Sequence, residues 1–437
     1  MPDVTIQPVT RPFIAAITPP GSKSLTNRAL VLAALADGAS TLSNVLFADD
    51  TLVMLECLGR LGFDLRADRE TNTVRVEGRA GKIPRQSADL FCGNSGTTIR
   101  FLAALCALGR GHYKLDGIPR MRQRPIGDLV TLLKNLGTRI DYEIERGFPP
   151  VLVHADGLAG GIARFGGSQS SQFLSAVLQV APYGRHEVAI DLDGPQTSWP
   201  YVAMTMRLMD EFHVTPELIR DPSTGEPRRI VVPHGPPYRA TDYAIEPDAS
   251  NATYFLAAAA VHPGAKVTVE GLGRRSLQGD VGFADVLHRM GADLLFGGDF
   301  ITIIGPKRLG GIEVDLSTMP DTAQTLAVAA LFAEGPTTIT GLHTLRVKET
   351  DRVAALAAEL TRLGAEVEVD GDDLTIHPPE GGPRPAAVHT YDDHRMAMSF
   401  ALAGTKAPDV TIKDAECVNK TYPKYFEDLE RVLAGGR

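Results

Sequence analysis

Several features that define other classes of protein are missing from this chain. The longest wholly apolar runs, residues 29–36, 101–108 and 326–333, have eight residues each, far short of the roughly 18 that a membrane-spanning helix needs. Four cysteines lie far apart with no CxxC pair, so we expect reduced thiols in a cytoplasmic protein rather than disulfides or a zinc site. The first twenty residues contain no basic stretch followed by an apolar one, and we therefore expect no signal peptide.

The motifs of cofactor and metal sites are also missing. The chain has no GxGxxG fingerprint, no GxxxxGK[ST] loop, no HExxH and no GxSxG, and its eleven histidines lack the spacing of metal ligands. We therefore expect no cofactor and no metal ion. A formal net charge of −9 argues against general binding of nucleic acid, although it permits a local basic site for a small anion.

An internal repeat organises the chain. Six segments start polar or glycine-rich, continue as an Ala/Leu-rich helix and end in an alternating strand; they begin at residues 27, 97, 172, 251, 322 and 394. A second helix follows each segment, and in several units a glycine suited to a left-handed C-cap ends it, as in LGRLG at 58–62. Two alternating strands come next, for example 366–370 and 373–377, so each unit reads βαβαββ, or a rotation of it, over about 72 residues.

The sixth unit lacks its closing strands, whereas the first twenty residues contain two strand-like segments, 4–9 and 13–17. We expect these two strands to complete the last unit. Both termini would then lie in one lobe, and the chain would cross between lobes near residues 20–21 and 243–247.

The repeat therefore predicts an α/β fold of two lobes, each built from three pseudo-symmetric βαβαββ units in an inside-out α/β barrel arrangement. A two-strand hinge would join the lobes and leave a cleft. The predicted domains are residues 21–244 for the N-terminal lobe and residues 1–20 with 245–437 for the C-terminal lobe.

The starts of the six first helices share small hydroxyl, amide and glycine residues. They read GSKSLTNR at 21–28, GNSGTT at 93–98, GSQSSQ at 167–172, PDASN at 247–251, MPDT at 319–322 and YDDHR at 391–395. A helix N-terminus attracts anions, although capping alone accounts for any single one of these starts. Six equivalent starts, several with basic residues beside them, favour an anion-binding function over plain capping.

At these positions the chain strongly resembles the 5-enolpyruvylshikimate-3-phosphate (EPSP) synthase family. The matching stretches, which span nearly the whole chain, are PGSKSLTNRA at 20–29, GNSGTTIR at 93–100, PRMRQRPIGD at 119–128, SSQFL at 170–174, RVKETDR at 346–352, DDHRMAM at 392–398 and KTYP at 420–423. The family's fold has two lobes of three βαβαββ units. Its enzymes transfer the enolpyruvyl group of phosphoenolpyruvate to the 5-hydroxyl of shikimate 3-phosphate and release phosphate, without a cofactor.

The resemblance implies roles for individual residues. Shikimate 3-phosphate would be bound by Lys23, Ser24, Arg28, Ser170, Ser171, Gln172, Ser198, Tyr201, Asp321 and Lys348. Phosphoenolpyruvate would be held by Lys23, Gly96, Arg124, Gln172, Arg352, Arg395 and Lys420. Asp321 would act as general base and Glu349 as proton donor to the methylene carbon, with Lys23 also catalytic. From the residues alone, an N-cap for Asp321 and a first-turn partner of the helix dipole for Glu349 would be the simpler interpretations.

Further expectations follow from the resemblance. The partners would be these two small molecules, with no nucleic acid and no membrane, and we expect a cytoplasmic monomer that is a target of glyphosate. Phe101 stands where many members have proline, and Thr344 where well-known members have asparagine.

Two other functions can be weighed against this one. The sister family that acts on UDP-N-acetylglucosamine uses a cysteine in a loop of the second unit, yet residues 111–124 contain none. A non-catalytic anion-binding repeat protein would not need both Asp321 and Glu349. Phosphate release with each acceptor would separate the three functions.

Overall fold

The computed structural model describes residues 3–166 and 170–436, and these fall into two units. The N-terminal unit runs from Gly21 to Ile245, and the C-terminal unit combines the residues up to Pro20 with those from Glu246 onward. Part of the third predicted helix start, residues 167–169, lies outside the described residues.

Both units are built from many short elements. The helices are α1 (Lys23–Leu35), α2 (Asp49–Arg60), α3 (Gly96–Ala107), α4 (Gly127–Asn135), α5 (Gln172–Val180), α6 (Trp199–Glu211), α7 (Ala249–Val261), α8 (Phe283–Arg289), α9 (Ala323–Ala329), α10 (Arg352–Arg362), α11 (His394–Gly404) and α12 (Tyr425–Leu433). The strands are β1 (Val4–Thr5), β2 (Ile14–Ile17), β3 (Ala39–Ser43), β4 (Asp64–Asp68), β5 (Thr73–Glu77), β6 (Ser87–Phe91), β7 (Arg110–Asp116), β8 (Arg139–Tyr142), β9 (Val151–Asp156), β10 (Gly161–Gly166), β11 (Val188–Asp193), β12 (Glu217–Arg220), β13 (Pro227–Val232), β14 (Tyr243–Ala244), β15 (Lys266–Glu270), β16 (Asp293–Phe296), β17 (Phe300–Ile304), β18 (Leu309–Gly310), β19 (Glu313–Asp315), β20 (Ala333–Glu334), β21 (Thr337–Thr340), β22 (Glu366–Asp370), β23 (Asp373–His377), β24 (Ala386–Val388) and β25 (Val410–Ile412). A helix therefore begins within four residues of each of the six predicted first-helix positions.

Five four-stranded sheets share one strand order. An edge strand runs parallel to its neighbour, and two antiparallel strands follow. The orders are β14-β3-β5-β4, β6-β7-β9-β8 and β10-β11-β13-β12 in the N-terminal unit, and β2-β15-β17-β16 and β19-β21-β23-β22 in the C-terminal unit. A sixth sheet, β24-β25-β1, has three strands, and β18 and β20 form a two-stranded sheet. The fold is therefore mixed α/β, with small open sheets.

The two strands before residue 20 join different sheets. β1 pairs with β25 in the sixth sheet, whereas β2 lies parallel to β15, with Ile14 opposite Lys266. The prediction that both strands complete the last unit is therefore wrong for β2. In the other sheets of the C-terminal unit, the strand just before the first helix forms the parallel edge. β14 precedes α7 but pairs with β3, and β2 takes the edge beside β15.

The first and last residues of the N-terminal unit meet at Asn44. The Asn44 side-chain amide donates a hydrogen bond to the Ile245 carbonyl over 2.8 Å. A Cβ atom on Gly21 would lie 1.9 Å from the Asn44 carbonyl oxygen, so this close approach requires glycine. Asn44 itself has a φ of 53°, in the left-handed region that asparagine adopts more readily than most residues.

The first helices form the core of each unit. α1, α3 and α5 pack against one another, as do α7, α9 and α11. Every residue of α7 is buried, as expected for a helix that is apolar on all sides. In the C-terminal unit the hydroxyl groups of Thr253, Thr325 and Ser399 meet at 2.9 and 3.4 Å, so the starts of these three helices lie close together.

The second helices end as the sequence predicts. Gly62, Gly137, Gly291 and Gly364 follow α2, α4, α8 and α10 with φ values of 91° to 109°, the left-handed conformation of a glycine C-cap. Across the described ranges, we find no helix with the length and apolar character needed to cross a membrane.

Candidate active site

A buried network of charges lies at the starts of α9, α10 and α11 in the C-terminal unit. Its centre is Arg352, which begins α10 and is 1% exposed. The guanidinium contacts three carboxylates: Asp393 at 2.7 Å, Glu349 at 3.0 Å and Asp321 at 3.1 Å. A buried charge is tolerated when it is paired and hydrogen-bonded, and these contacts meet that condition.

Burial alone would lower the pKa of Arg352, because it disfavours the charged form. The attraction of Asp393, Glu349 and Asp321 outweighs that effect, and the pKa lies above its ordinary value. Arg352 is therefore a permanent cation at this position.

Three further cations contact the same carboxylates. Arg395 Nη2 lies 3.0 Å from Asp321 Oδ2, and Lys348 Nζ lies 3.6 Å from Asp321 Oδ1. Lys420 Nζ lies 3.8 Å from Glu349 Oε1. The structure thus brings together all six residues that the sequence analysis placed in this half of the site.

Local structure explains how these side chains are positioned. Asp321 belongs to a 3₁₀ turn, Pro320–Thr322, and its carboxylate faces the arginines, while Thr322 occupies the N-cap of α9. Glu349 precedes the first turn of α10. Neither carboxylate therefore has the simpler role, capping or a first-turn dipole contact, that the residues alone suggested.

In the N-terminal unit, Lys23 and Arg28 lie on α1 in different surroundings. Lys23 Nζ is 3.3 Å from Asp50 Oδ2. Arg28 is 1% exposed, and its guanidinium donates to neutral oxygens, including Thr205 Oγ1 at 2.7 Å and the Ser24 carbonyl at 2.9 Å. Burial lowers the pKa of Arg28 to about 10, which still leaves it charged at neutral pH.

Phe101 also contacts Arg28. The guanidinium lies over the Phe101 ring, 5.1 Å from its centroid, and such a cation–π contact favours the charged form. Phe101 thus has a local electrostatic role in this chain.

A second group of basic residues surrounds the start of α3. Arg124 Nη1 donates to the Asn94 carbonyl at 2.9 Å and to its side-chain oxygen at 3.2 Å. Arg100 Nη1 donates to Gln172 Oε1 at 2.6 Å. A Cβ atom on Gly96 would lie 2.6 Å from Arg124 Nη2 and 3.3 Å from Arg100 Nη1, so both guanidinium groups lie against this glycine.

The remaining predicted residues lie at the starts of α5 and α6. Ser170 Oγ accepts a hydrogen bond from the Gln172 backbone N–H at 3.3 Å, and Ser171 occupies the N-cap of α5. Ser198 occupies the N-cap of α6 with a φ of 51°. The backbone of Tyr201 contacts Arg28, because the Tyr201 carbonyl oxygen accepts a hydrogen bond from the Arg28 guanidinium at 3.4 Å.

Three charged residues of these clusters were not singled out from the sequence: Asp50, Arg100 and Asp393. Arg100 and Asp393 lie inside the motifs GNSGTTIR and DDHRMAM, so a signal was present. Asp50 lies in an ordinary acidic helix start, and only the fold pairs it with Lys23.

Within the two described ranges, no group of three or more His, Cys, Asp and Glu residues is arranged to hold a metal ion. The expectation that no metal is needed stays a prediction.

Comparisons with known proteins show which family the chain resembles. The family model described as EPSP synthase (3-phosphoshikimate 1-carboxyvinyltransferase) matches residues 10–429. A relative from Trichormus variabilis named 3-phosphoshikimate 1-carboxyvinyltransferase is 45% identical, covering 99% of this chain and 100% of its own. A relative of the same name from Ralstonia pickettii is 48% identical, covering 95% of this chain and 96% of its own. The solved structure of EPSP synthase from Acinetobacter baumannii has a TM-score of 0.81 at 26% identity, covering 98% of this chain and 97% of its own. From its sequence and its fold alike, this chain belongs to the EPSP synthase family.

Proposed function

We propose that the charge network around Arg352 and the polar and basic residues at the helix starts of the N-terminal unit carry out the family's reaction. This reaction transfers the enolpyruvyl group from phosphoenolpyruvate to the 5-hydroxyl of shikimate 3-phosphate and releases phosphate. Membership of the family makes the chain a 3-phosphoshikimate 1-carboxyvinyltransferase of the shikimate pathway, which supplies aromatic amino acids. The observation that carries the assignment of residues is the charge network around Arg352, where four cations share three carboxylates.

Phosphoenolpyruvate brings a carboxylate and a phosphate, which need several cations. The planar forks of Arg352 and Arg395 suit such anions, and Lys420 adds a point charge. From the N-terminal unit we assign Lys23, Gly96, Arg124 and Gln172 to the same substrate. The absence of a side chain at Gly96 lets backbone N–H groups at the start of α3 approach the anion closely.

For shikimate 3-phosphate we assign residues of both units: Lys23, Ser24, Arg28, Ser170, Ser171, Gln172, Ser198, Tyr201, Asp321 and Lys348. The neutral partners of Arg28 support its part in this set. A buried cation whose hydrogen bonds go to neutral oxygens gains more from an added anion than one that already has carboxylate partners.

The chemistry requires one base and one acid. The 5-hydroxyl oxygen forms a bond to C2 of phosphoenolpyruvate while Asp321 takes the hydroxyl proton and Glu349 gives a proton to C3. Glu349 then takes a proton back from C3 while phosphate leaves with the proton held by Asp321, and the double bond of the enolpyruvyl group is restored. The positive charge of Lys23 stabilises the charge that develops during this sequence.

Substrate binding would also change the partners of these carboxylates. Asp321 and Glu349 both contact Arg352 before substrate arrives. An incoming anion competes with them for the guanidinium. That exchange frees Asp321 to act as the base, and Glu349, once released, takes up from solvent the proton that it gives to C3.

For the finer architecture, we propose that the six units are related by pseudo-symmetry, three to a lobe, with the lobes joined by two strands. The strand order common to five of the sheets supports this. We also propose that the enzyme acts as a cytoplasmic monomer and that glyphosate competes with phosphoenolpyruvate.

The decisive experiment is a phosphate-release assay with phosphoenolpyruvate and either acceptor. We expect release with shikimate 3-phosphate and none with UDP-N-acetylglucosamine. Release only with the nucleotide sugar would assign the chain to the sister activity, and release with neither would overturn the proposed function.

A further inference from the structure

The segment between β24 and α11 has an unusual backbone. Tyr391 and Asp392 both have a φ of 55°, the left-handed region that residues other than glycine occupy rarely and seldom in succession. Such a conformation persists only where the surroundings fix it. The next residue, Asp393, belongs to the charge network of the candidate active site.

Glu359 on α10 holds the start of this segment. Its carboxylate is fully buried. One oxygen accepts from the His389 backbone N–H at 3.1 Å, and the other accepts from the Tyr391 hydroxyl at 2.8 Å. Burial and this hydrogen bond raise the pKa of Tyr391 to about 12, so the hydroxyl keeps its proton at neutral pH and remains a donor.

The same helix holds the end of the segment. Arg352 lies seven residues before Glu359, two helical turns away on the same face of α10. Asp393 accepts from Arg352 Nε at 2.7 Å and, as the N-cap of α11, from the Arg395 backbone N–H at 2.9 Å. α10 therefore fixes both ends of a backbone stretch that would otherwise relax.

We propose that Glu359 is a positioning residue for phosphoenolpyruvate binding, which acts through Tyr391 and the 389–393 segment on Asp393, Arg352 and Arg395. Without its contacts the left-handed pair relaxes, and Asp393 no longer aligns the two guanidinium groups. This inference rests on the proposed function, which assigns both arginines to phosphoenolpyruvate.

The test is Tyr391→Phe, which removes one hydroxyl from a side chain that is 42% exposed. We expect the KM for phosphoenolpyruvate to rise about 3- to 10-fold. The kcat and the KM for shikimate 3-phosphate should change less than about 2-fold, because the reacting groups are intact. Glu359→Gln should also raise the KM for phosphoenolpyruvate, because an amide has only one accepting oxygen.

Arg362→Lys, which keeps a cation beside Glu359, is the matched control. Arg362 Nε contacts the same Glu359 carboxylate at 2.9 Å, but its own side chain is 45% exposed. We expect wild-type constants for this variant, since Glu359 keeps its bonds to the segment.

A binding measurement makes the inference independent of turnover. We expect phosphoenolpyruvate alone to raise the melting temperature of Tyr391→Phe less than that of the wild type. An equal shift in both proteins, or a lower melting temperature of Tyr391→Phe with an unchanged KM for phosphoenolpyruvate, would overturn the positioning role. A wild type that binds phosphoenolpyruvate but releases no phosphate with shikimate 3-phosphate would contradict only the proposed function, and the comparison of melting shifts would still decide the role of Glu359.

Discussion

Replacing Gly96 with alanine would probe the proposed phosphoenolpyruvate site with one methyl group. The new Cβ would lie 2.6 Å from Arg124 Nη2, so the guanidinium would have to move by about 0.5–1 Å to reach an ordinary non-bonded separation. Arg124 is 3% exposed and already bonded to Asn94, which limits where it can go. The methyl group therefore displaces a group that we assign to the substrate.

The size of the effect follows from that displacement. A hydrogen bond to a charged group contributes about 1.5–3 kcal/mol, and misplacing a positioned group by about 1 Å can cost about 10²-fold in rate. We expect the KM for phosphoenolpyruvate to rise about 10- to 100-fold, with the KM for shikimate 3-phosphate unchanged. Glyphosate, which is longer than phosphoenolpyruvate, should lose more affinity, so the variant becomes resistant.

The assay is steady-state phosphate release at varied phosphoenolpyruvate, with and without glyphosate. Gly59→Ala in α2 of the same unit is the control, because its Cβ would meet no atom within 4 Å. Both variants should fold, since alanine favours helix over glycine. Unchanged phosphoenolpyruvate kinetics and unchanged glyphosate sensitivity in Gly96→Ala would show that Gly96 does not line the site.

Other expected outcomes concern the acid, the base, metal dependence and pH. Asp321→Asn and Glu349→Gln should keep the wild-type circular dichroism spectrum but lose about 10²- to 10⁴-fold in kcat; near-normal turnover of either would refute its role. Treatment with EDTA should leave activity intact, and rescue of a chelated enzyme by added metal would contradict this. Burial lowers the pKa of His262 below its ordinary 6.5, so the folded state resists protonation and the unfolding free energy should fall as pH drops below that value. In urea titrations at pH 7 and pH 5, His262→Gln should lose less stability than the wild type, and an equal loss would exclude His262 as the cause.

Much of the fold follows from local pattern. Alternation over residues 366–370 and 373–377 predicts β22 and β23 with their observed bounds, because a half-buried strand exposes every second residue. Glycines such as Gly62 end the second helices as predicted, since few other residues adopt a left-handed C-cap.

Pairing between distant segments was harder to predict. The four residues of β2 suit any parallel sheet edge, and their place beside β15 depends on where β14 pairs. The sequence also cannot distinguish Arg28 from Arg352 by surroundings. Arg28 contacts neutral oxygens, whereas Arg352 contacts three carboxylates. Both sets of partners come largely from elsewhere in the chain.

The closure of the N-terminal unit at Asn44 has a consequence for the order of folding during synthesis. Strands β1 and β2 leave the ribosome before the N-terminal unit, yet β1 pairs with β25, some 400 residues later, about 20–80 s at typical elongation rates. The N-terminal unit is continuous in sequence and can fold during that delay. Once Asn44 holds Gly21 close to Ile245, most of the intervening chain no longer adds to the entropy cost of loop closure. The C-terminal unit can then complete its sheets around a short connection, which makes it the later of the two units to fold.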